Sequence, residues 1–148
     1  MSSDIKAAFF DIDGTLLSFK THRIPASAQQ VLDSFHEQGI ACVIATGRPT
    51  YQMPDWLFDL GWDAYITLSG QHCFDAKGVY RSCPIDPDDV AVIVDQVAQG
   101  RYDSLCMQGE NSFVNRLSER VVTAGSNAGI VYHEEPFEIG RASCRERV

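Results

Sequence analysis

The sequence predicts an α/β fold built on a parallel sheet, and three observations support this prediction. Apolar runs of strand length recur along the first half of the chain. Segments with helical periodicity separate these runs, which is typical of a parallel sheet covered by helices. Two of the runs end abruptly in polar residues followed by glycine, at Asp11 and at Thr46. Since open α/β sheets carry their sites at the carboxyl ends of the strands, we expect a functional site there.

The first predicted strand is the apolar run Ala7–Phe10, which is followed by two carboxylates, Asp11 and Asp13. Four consecutive apolar residues favour a strand that is buried on both faces. Two acids at the edge of a core need compensation, because an unpaired charge there is costly. A divalent cation would supply it, and a phosphate held by the glycine turn at Gly14 is a second explanation.

The Asp-x-Asp-Gly pattern also occurs in calcium loops and in ordinary turns. An EF-hand loop starting at Asp11 requires glycine at its sixth position and glutamate at its twelfth. This chain has Leu16 and His22 at those positions, which excludes the EF-hand. An ordinary turn remains the alternative, although it needs neither the apolar run before it nor Leu16-Leu17 after it.

A second strand is predicted over Ile40–Ala45, followed directly by Thr46-Gly47-Arg48-Pro49. Between the two strands, apolar residues at helical spacing predict a helix that packs on the sheet and ends before Gly39. The residues of this apolar face are Ile24, Ala28, Val31, Leu32 and Phe35.

The remaining elements of the first half follow the same alternation. We predict a helix from Pro49 to Leu60 with Met53, Trp56, Leu57 and Leu60 in the core, and a third strand over Ala64–Leu68. Cys73–Asp75 and Val79–Tyr80, separated by a turn with Gly78, are predicted to form a hairpin.

These motifs resemble those of a known family. Asp11-Ile12-Asp13-Gly14-Thr15-Leu16 is similar to motif I of the haloacid dehalogenase (HAD) superfamily of phosphotransferases, and Thr46 falls where motif II is expected. The order of strand, Thr-Gly-Arg, helix, strand, Ser69-Gly70-Gln71 and hairpin resembles the Cof-type class IIB branch, which often has Asn where this chain has Ser69. The resemblance implies a Rossmann-like parallel-sheet HAD core, here incomplete, followed by the start of an α/β cap domain.

The resemblance also implies a role for each motif residue. Asp11 would be the nucleophile that forms an aspartyl-phosphate, and Asp13 the general acid and base. Mg²⁺ would be bound by Asp11 and by Asp13, the latter through its backbone carbonyl. The activity implied is a Mg²⁺-dependent phosphatase of small phosphorylated metabolites such as sugar phosphates, while a mutase with the same first two motifs stays open. The phosphate-binding residues implied are Ile12, Thr46, Gly47 and Arg48.

We expect three segments along the chain: the amino-terminal part of the core at 1–84, a partial cap at 85–137 and a tail at 138–148. The cap would begin with a helix capped by Asp86, with Pro87 at its first position and Gly100 after its end. Its predicted buried stripe is Val90, Ile93, Val94 and Val97. Further strands are predicted near 104–107 and 112–114, a helix over 118–124 and a short apolar run over 130–132.

Nothing in residues 85–148 resembles the lysine motif and the acidic metal motif that complete the site in this family. The last eleven residues carry three arginines without periodicity, and their codons can match the start of a common sequencing adapter. We therefore expect an amino-terminal fragment that is inactive by itself, with a non-native tail at 138–148. A natural disordered tail is the alternative for that segment, and a non-catalytic binding or regulatory module is the alternative function.

The composition limits the kinds of partner and the cellular location that we expect for this chain. A net charge of −8 without a basic patch argues against a nucleic-acid partner. The longest apolar runs have the length of strands, which argues against a membrane span. The five cysteines are scattered without a Cys-x-x-Cys pair, which favours a reducing, cytoplasmic location. The oligomeric state is left open.

Overall fold

The computed structural model describes residues 5–18, 23–102, 106–108, 112–128 and 131–134. The chain divides into two compact units, Met1–Cys83 and Pro84–Val148. The tail expected at 138–148 lies outside the described residues. In the described part of the chain, no helix combines the length and the hydropathy needed to span a membrane.

The first unit is built on a five-stranded sheet in which spatial order follows chain order. The first three strands pair in parallel, whereas the last two add antiparallel neighbours. The α/β class with a parallel-dominated sheet is therefore confirmed, as is the predicted hairpin. The strands are β1 (Ala7–Phe10), β2 (Ala41–Ala45), β3 (Ala64–Thr67), β4 (His72–Asp75) and β5 (Gly78–Ser82).

Helix α1 (Ala26–Glu37) forms where the apolar periodicity predicts it, and Gly39 follows with a φ of 70°. The helix packs on one face of the sheet, where the Phe10 ring lies 6.1 Å from Phe35 and 5.5 Å from Trp62. The core of this unit lies on that face. Its fully buried apolar side chains are Ile12, Leu32, Cys42, Ile44 and Leu57.

The single helix predicted from Pro49 to Leu60 is wrong. The structure instead has a 3₁₀ turn at Thr50–Gln52 and a separate short helix, α2 (Asp55–Phe58). Pro54 causes the break, because its ring disfavours helical geometry at the preceding residue. Met53 accordingly has extended dihedral angles, with φ −89° and ψ 132°. Leu57 still reaches the core, whereas the Trp56 side chain predicted there is 39% exposed.

The apolar composition of the first strand predicts burial on both faces, which is wrong. An incomplete core that lacks the strands on its far side predicts an exposed edge instead, and the structure shows one. Among the described residues β1 is the edge strand of the sheet, with β2 as its neighbour. Phe10 faces the core, but the side chain of Phe9 is 62% exposed. Position at the edge rather than composition decides this burial.

The second unit begins with helix α3 (Pro87–Ala98), whose predicted N-cap is confirmed, since the Asp88 N–H donates to Asp86 Oδ1 at 2.8 Å. The stripe predicted along α3 is not buried; none of its residues is, and Ile93 is 37% exposed. A strand that was not predicted, His133–Glu134, follows directly after the apolar run at 130–132. The other elements are β6 (Cys106–Gln108), β7 (Ser112–Val114), α4 (Glu119–Ala128) and β8 (His133–Glu134), with the strands in the order β6-β7-β8.

Candidate active site

The turn after β1 orients its polar residues outward by burying its apolar ones. Ile12, Leu16 and Leu17 are 0%, 3% and 8% exposed and anchor the turn in the core. Gly14 has a φ of 78°, a backbone conformation that glycine adopts without steric cost. Its N–H donates to the Leu17 carbonyl at 2.9 Å, which closes the turn. As a result the Asp11 side chain is exposed at the carboxyl end of β1.

Thr46 lies directly after β2, at the same end of the sheet as Asp11. Its N–H donates to the Ile66 carbonyl at 2.9 Å, which continues the pairing of β2 with β3. Its side chain is buried, and Thr46 Oγ1 accepts the Arg48 N–H at 3.1 Å. Because that bond uses the hydroxyl as an acceptor, the Thr46 O–H can still donate to an anion.

Arg48 joins the two motifs, which are 35 residues apart in the chain. Its Nε and Nη2 atoms donate to the two carboxylate oxygens of Asp13 at 2.8 Å and 2.6 Å. Nη1 donates to the Gln52 carbonyl at 2.9 Å, so the guanidinium is also held by the 3₁₀ turn that follows the loop. A two-point contact of this kind fixes the plane of the guanidinium as well as its position.

The surroundings of Arg48 stabilise its charge. The hydrogen bonds to Asp13 raise the pKa of the Arg48 guanidinium, and the charges of Asp13 and Asp11 act in the same direction. Partial burial opposes this effect. The dependence on Asp11 indicates that both carboxylates of the first motif act electrostatically on this arginine.

A strained turn completes the rim of this site. Leu68 and Ser69, which follow β3, have φ values of 50° and 55°, the only positive values outside glycine among the described residues. The Leu68 N–H donates to the Arg48 carbonyl at 3.2 Å, and the Ser69 N–H donates to the Thr46 carbonyl at 3.1 Å. The turn is therefore tied to the Thr46–Arg48 loop through its backbone.

The structure brings five of the six predicted site residues to one end of the sheet with their side chains or backbones at the rim: Asp11, Asp13, Thr46, Gly47 and Arg48. Ile12 differs, because its side chain is fully buried and only its backbone lies in the turn. Sequence reasoning missed both the Asp13–Arg48 pair and the contact of the 68–70 turn with the second motif. Ser69-Gly70, a turn signal directly after a strand, could have pointed to the latter.

The described residues fit Mg²⁺ as part of a site. Asp11 offers an exposed carboxylate, whereas both carboxylate oxygens of Asp13 already accept hydrogen bonds from Arg48. No cluster of three or more His, Cys, Asp or Glu side chains with metal-binding geometry occurs within the described ranges. An oxygen-only donor set with few protein ligands suits Mg²⁺, which commonly retains water and binds substrate phosphate.

The fold and this site define an α/β protein with acids, a threonine and an arginine gathered at the carboxyl ends of parallel strands. The family model described as haloacid dehalogenase-like hydrolase matches residues 8–138. The chain therefore belongs to the haloacid dehalogenase-like hydrolase family, which confirms the resemblance drawn from its two motifs.

Solved structures and curated relatives agree with this assignment. A phosphatase of the same superfamily from Bacteroides thetaiotaomicron is 30% identical with a TM-score of 0.75, over 88% of this chain and 49% of that one. A subclass IIB sugar phosphatase is 31% identical with a TM-score of 0.71, over 87% of this chain and 52% of that one. The Bacillus subtilis protein YkrA, named as a phosphatase, is 29% identical over 70% of this chain and 40% of its own length.

A second curated relative shows the same partial coverage. A Streptococcus pyogenes protein named as a bifunctional phosphatase and peptidyl-prolyl cis-trans isomerase is 40% identical over 60% of this chain, but over only 19% of its own length. The chain thus spans less than half of either curated relative and about half of these two solved structures.

Proposed function

We propose that the complete gene product is a Mg²⁺-dependent phosphatase of small phosphorylated metabolites such as sugar phosphates, acting in the cytoplasm. The observation that carries this proposal is the meeting of two motifs at one end of the sheet, where Arg48 binds Asp13 at 2.6 Å and 2.8 Å. Phosphoryl transfer needs a nucleophile, a proton donor and groups that bind the phosphate within reach of one another. The polypeptide of 148 residues alone is proposed to be inactive.

In the proposed reaction Asp11 is the nucleophile. One of its carboxylate oxygens attacks phosphorus, and the bond between phosphorus and the leaving oxygen breaks. Asp13 donates a proton to that oxygen and later accepts one from the water that hydrolyses the aspartyl-phosphate, which regenerates both acids and releases inorganic phosphate. The exposure of the Asp11 carboxylate supports this assignment, because a nucleophile must be reachable by its substrate.

The second motif binds the phosphate in this proposal. The Thr46 O–H and the backbone N–H groups of Ile12 and Gly47 would donate to phosphoryl oxygens. Arg48 would hold Asp13 in place before substrate arrives and would turn its remaining N–H groups to the anion. Each oxygen of Asp13 accepts one N–H bond from Arg48 and keeps a second lone pair, on which Asp13 can hold the proton that it transfers.

Mg²⁺, bound by the Asp11 carboxylate and the Asp13 backbone carbonyl, would supply positive charge that offsets the repulsion between a carboxylate and an anionic phosphate. We assign Met1–Cys83 to the catalytic core and the unit from Pro84 onward to part of the cap that selects the substrate.

Removal of divalent cations tests the proposal. In the product of the complete open reading frame, a chelator is expected to lower hydrolysis of a sugar phosphate by about 10²-fold or more, because an electrostatic stabiliser is lost. Added Mg²⁺ should restore the rate, which a steady-state assay of phosphate release measures.

Full activity in the presence of a chelator would contradict the metal requirement. If the product of the complete reading frame folds, yet neither hydrolyses phosphate monoesters nor binds Mg²⁺, the alternative of a non-catalytic binding or regulatory module would replace the enzyme.

A further inference from the structure

We infer that Ser69 is a further ligand-contact residue, whose hydroxyl donates a hydrogen bond to a phosphoryl oxygen of the substrate at the Thr46–Arg48 loop. This inference rests on the proposed function and adds to it a residue from the turn that follows the third parallel strand.

The Ser69 hydroxyl lies beside the glycine of the second motif. A methyl group placed on Gly47 would be 3.5 Å from Ser69 Oγ, so this hydroxyl borders the space over the Gly47 backbone. Both residues are exposed, so a ligand on this side of the Gly47 backbone would lie beside the Ser69 hydroxyl. A hydroxyl in this place can donate to an anionic oxygen.

The conformation of Ser69 supports a function for this position. Its φ of 55° and ψ of 35° are left-handed, and the preceding Leu68 and following Gly70 also have positive φ values, of 50° and 93°. Left-handed geometry at residues other than glycine is strained and persists where the surrounding structure imposes it, most often at functional sites. Here the imposing contacts are the backbone bonds to Thr46 and Arg48.

A further bond fixes the far side of the turn. Arg81 Nε on β5 donates to the Gly70 carbonyl at 3.0 Å, and the Gln71 N–H donates back to the Leu68 carbonyl at 3.2 Å. The bonds of the turn thus come from backbone atoms and from the side chains of Arg81 and Cys73, whose Sγ donates to the Gly70 carbonyl at 3.8 Å. The hydroxyl of Ser69 makes no hydrogen bond to the protein among the described residues, which leaves it available to a ligand.

Because other groups hold the turn, a variant that lacks only the Ser69 hydroxyl tests the inference without removing those bonds. Ser69→Ala keeps a side chain that faces the same left-handed strain, and it removes only the hydroxyl. A purely structural role predicts no change in the affinity for phosphate. A contact to the phosphoryl group predicts that the KM for a sugar phosphate and the inhibition constant of inorganic phosphate both rise about tenfold, as for the loss of one hydrogen bond to an anion.

Two further variants and one control accompany it in the product of the complete reading frame. Ser69→Asn, which tolerates left-handed geometry and retains a donor, should restore most of the phosphate affinity. Ser69→Gly should show the same loss as Ser69→Ala while unfolding at an equal or higher temperature, because the strain is relieved. Ser82→Ala, an exposed serine at the end of β5, should leave both constants unchanged.

The test includes a readout that does not need turnover. With Mg²⁺ present, inorganic phosphate should raise the unfolding temperature of the wild-type protein, and most of this rise should disappear in Ser69→Ala. The inference would be overturned if Ser69→Ala keeps the wild-type KM, the wild-type inhibition constant and the wild-type rise in unfolding temperature with phosphate. It would also be overturned if phosphate does not raise the unfolding temperature of the wild-type protein. If Ser69→Ala behaves as wild type while Asp11→Asn is inactive, only this inference fails; turnover by Asp11→Asn would instead refute the proposed function.

Discussion

Asp11→Asn is expected to abolish phosphatase activity in the product of the complete reading frame, with a loss of at least about 10³-fold in kcat. The amide is nearly the same size as the carboxylate but is a poor nucleophile and carries no charge for a cation. The side chain is exposed at the end of β1, so the substitution should leave the core intact. An assay of phosphate release measures the loss of activity, and the unfolding temperature shows whether the variant is still folded.

The matched control is Asp59→Asn, which makes the same chemical change at another exposed carboxylate of the first unit, directly after α2. It should retain wild-type turnover. Activity of Asp11→Asn within about tenfold of wild type would mean that the carboxylate does not attack phosphorus, since a nucleophile contributes far more than this to the rate.

The polypeptide of 148 residues, made by itself, is expected to be insoluble or molten because of its first strand. The unprotected edge of a sheet presents unpaired N–H and C=O groups to other chains. Among the described residues β1 is such an edge, it contains no charged residue, and the side chain of Phe9 is 62% exposed. The opposite edge is better protected, since β5 contains Arg81 and pairs with β4 through an irregular register.

Phe9→Lys should therefore move a large part of this polypeptide into the soluble fraction, as measured by sedimentation and size-exclusion chromatography. Val79→Lys on β5 adds the same charge at a side chain that is 57% exposed, and it should have little effect. If both variants raise the soluble fraction equally, the added charge and not the loss of the β1 edge would explain the increase. Recovery of the unmodified polypeptide as a soluble monomer with one cooperative unfolding transition would contradict the prediction.

Local patterns in the sequence were sufficient for the elements that position the site. The apolar run before Asp11, the run before Thr46 and the periodicity of α1 each correspond to the predicted element. These elements depend on burial along a single segment, which residue spacing records directly. The break at Pro54 was predictable in the same way, because the restriction that proline places on the preceding residue is local.

The features that could not be predicted depend on contacts between distant segments. The pairing of Arg48 with Asp13 requires the register of β1 against β2, which neither motif encodes by itself. Ser69-Gly70 indicates a turn, but the left-handed geometry of Ser69 is imposed by backbone bonds to the neighbouring loop, which the local pattern does not record.

Covalent trapping shows whether Asp11 attacks phosphorus. In the Asp13→Asn variant, 4-nitrophenyl phosphate supplies a leaving group that needs no proton, while the base that would activate water for the second step is missing. Rapid acid quenching followed by peptide mass spectrometry is expected to find a phosphoryl group on Asp11. Two results together would show that Asp11 is not the nucleophile. The first is release of nitrophenol by this variant or by the wild type without any phosphoryl group on the peptide that contains Asp11. The second is undiminished turnover in Asp11→Asn.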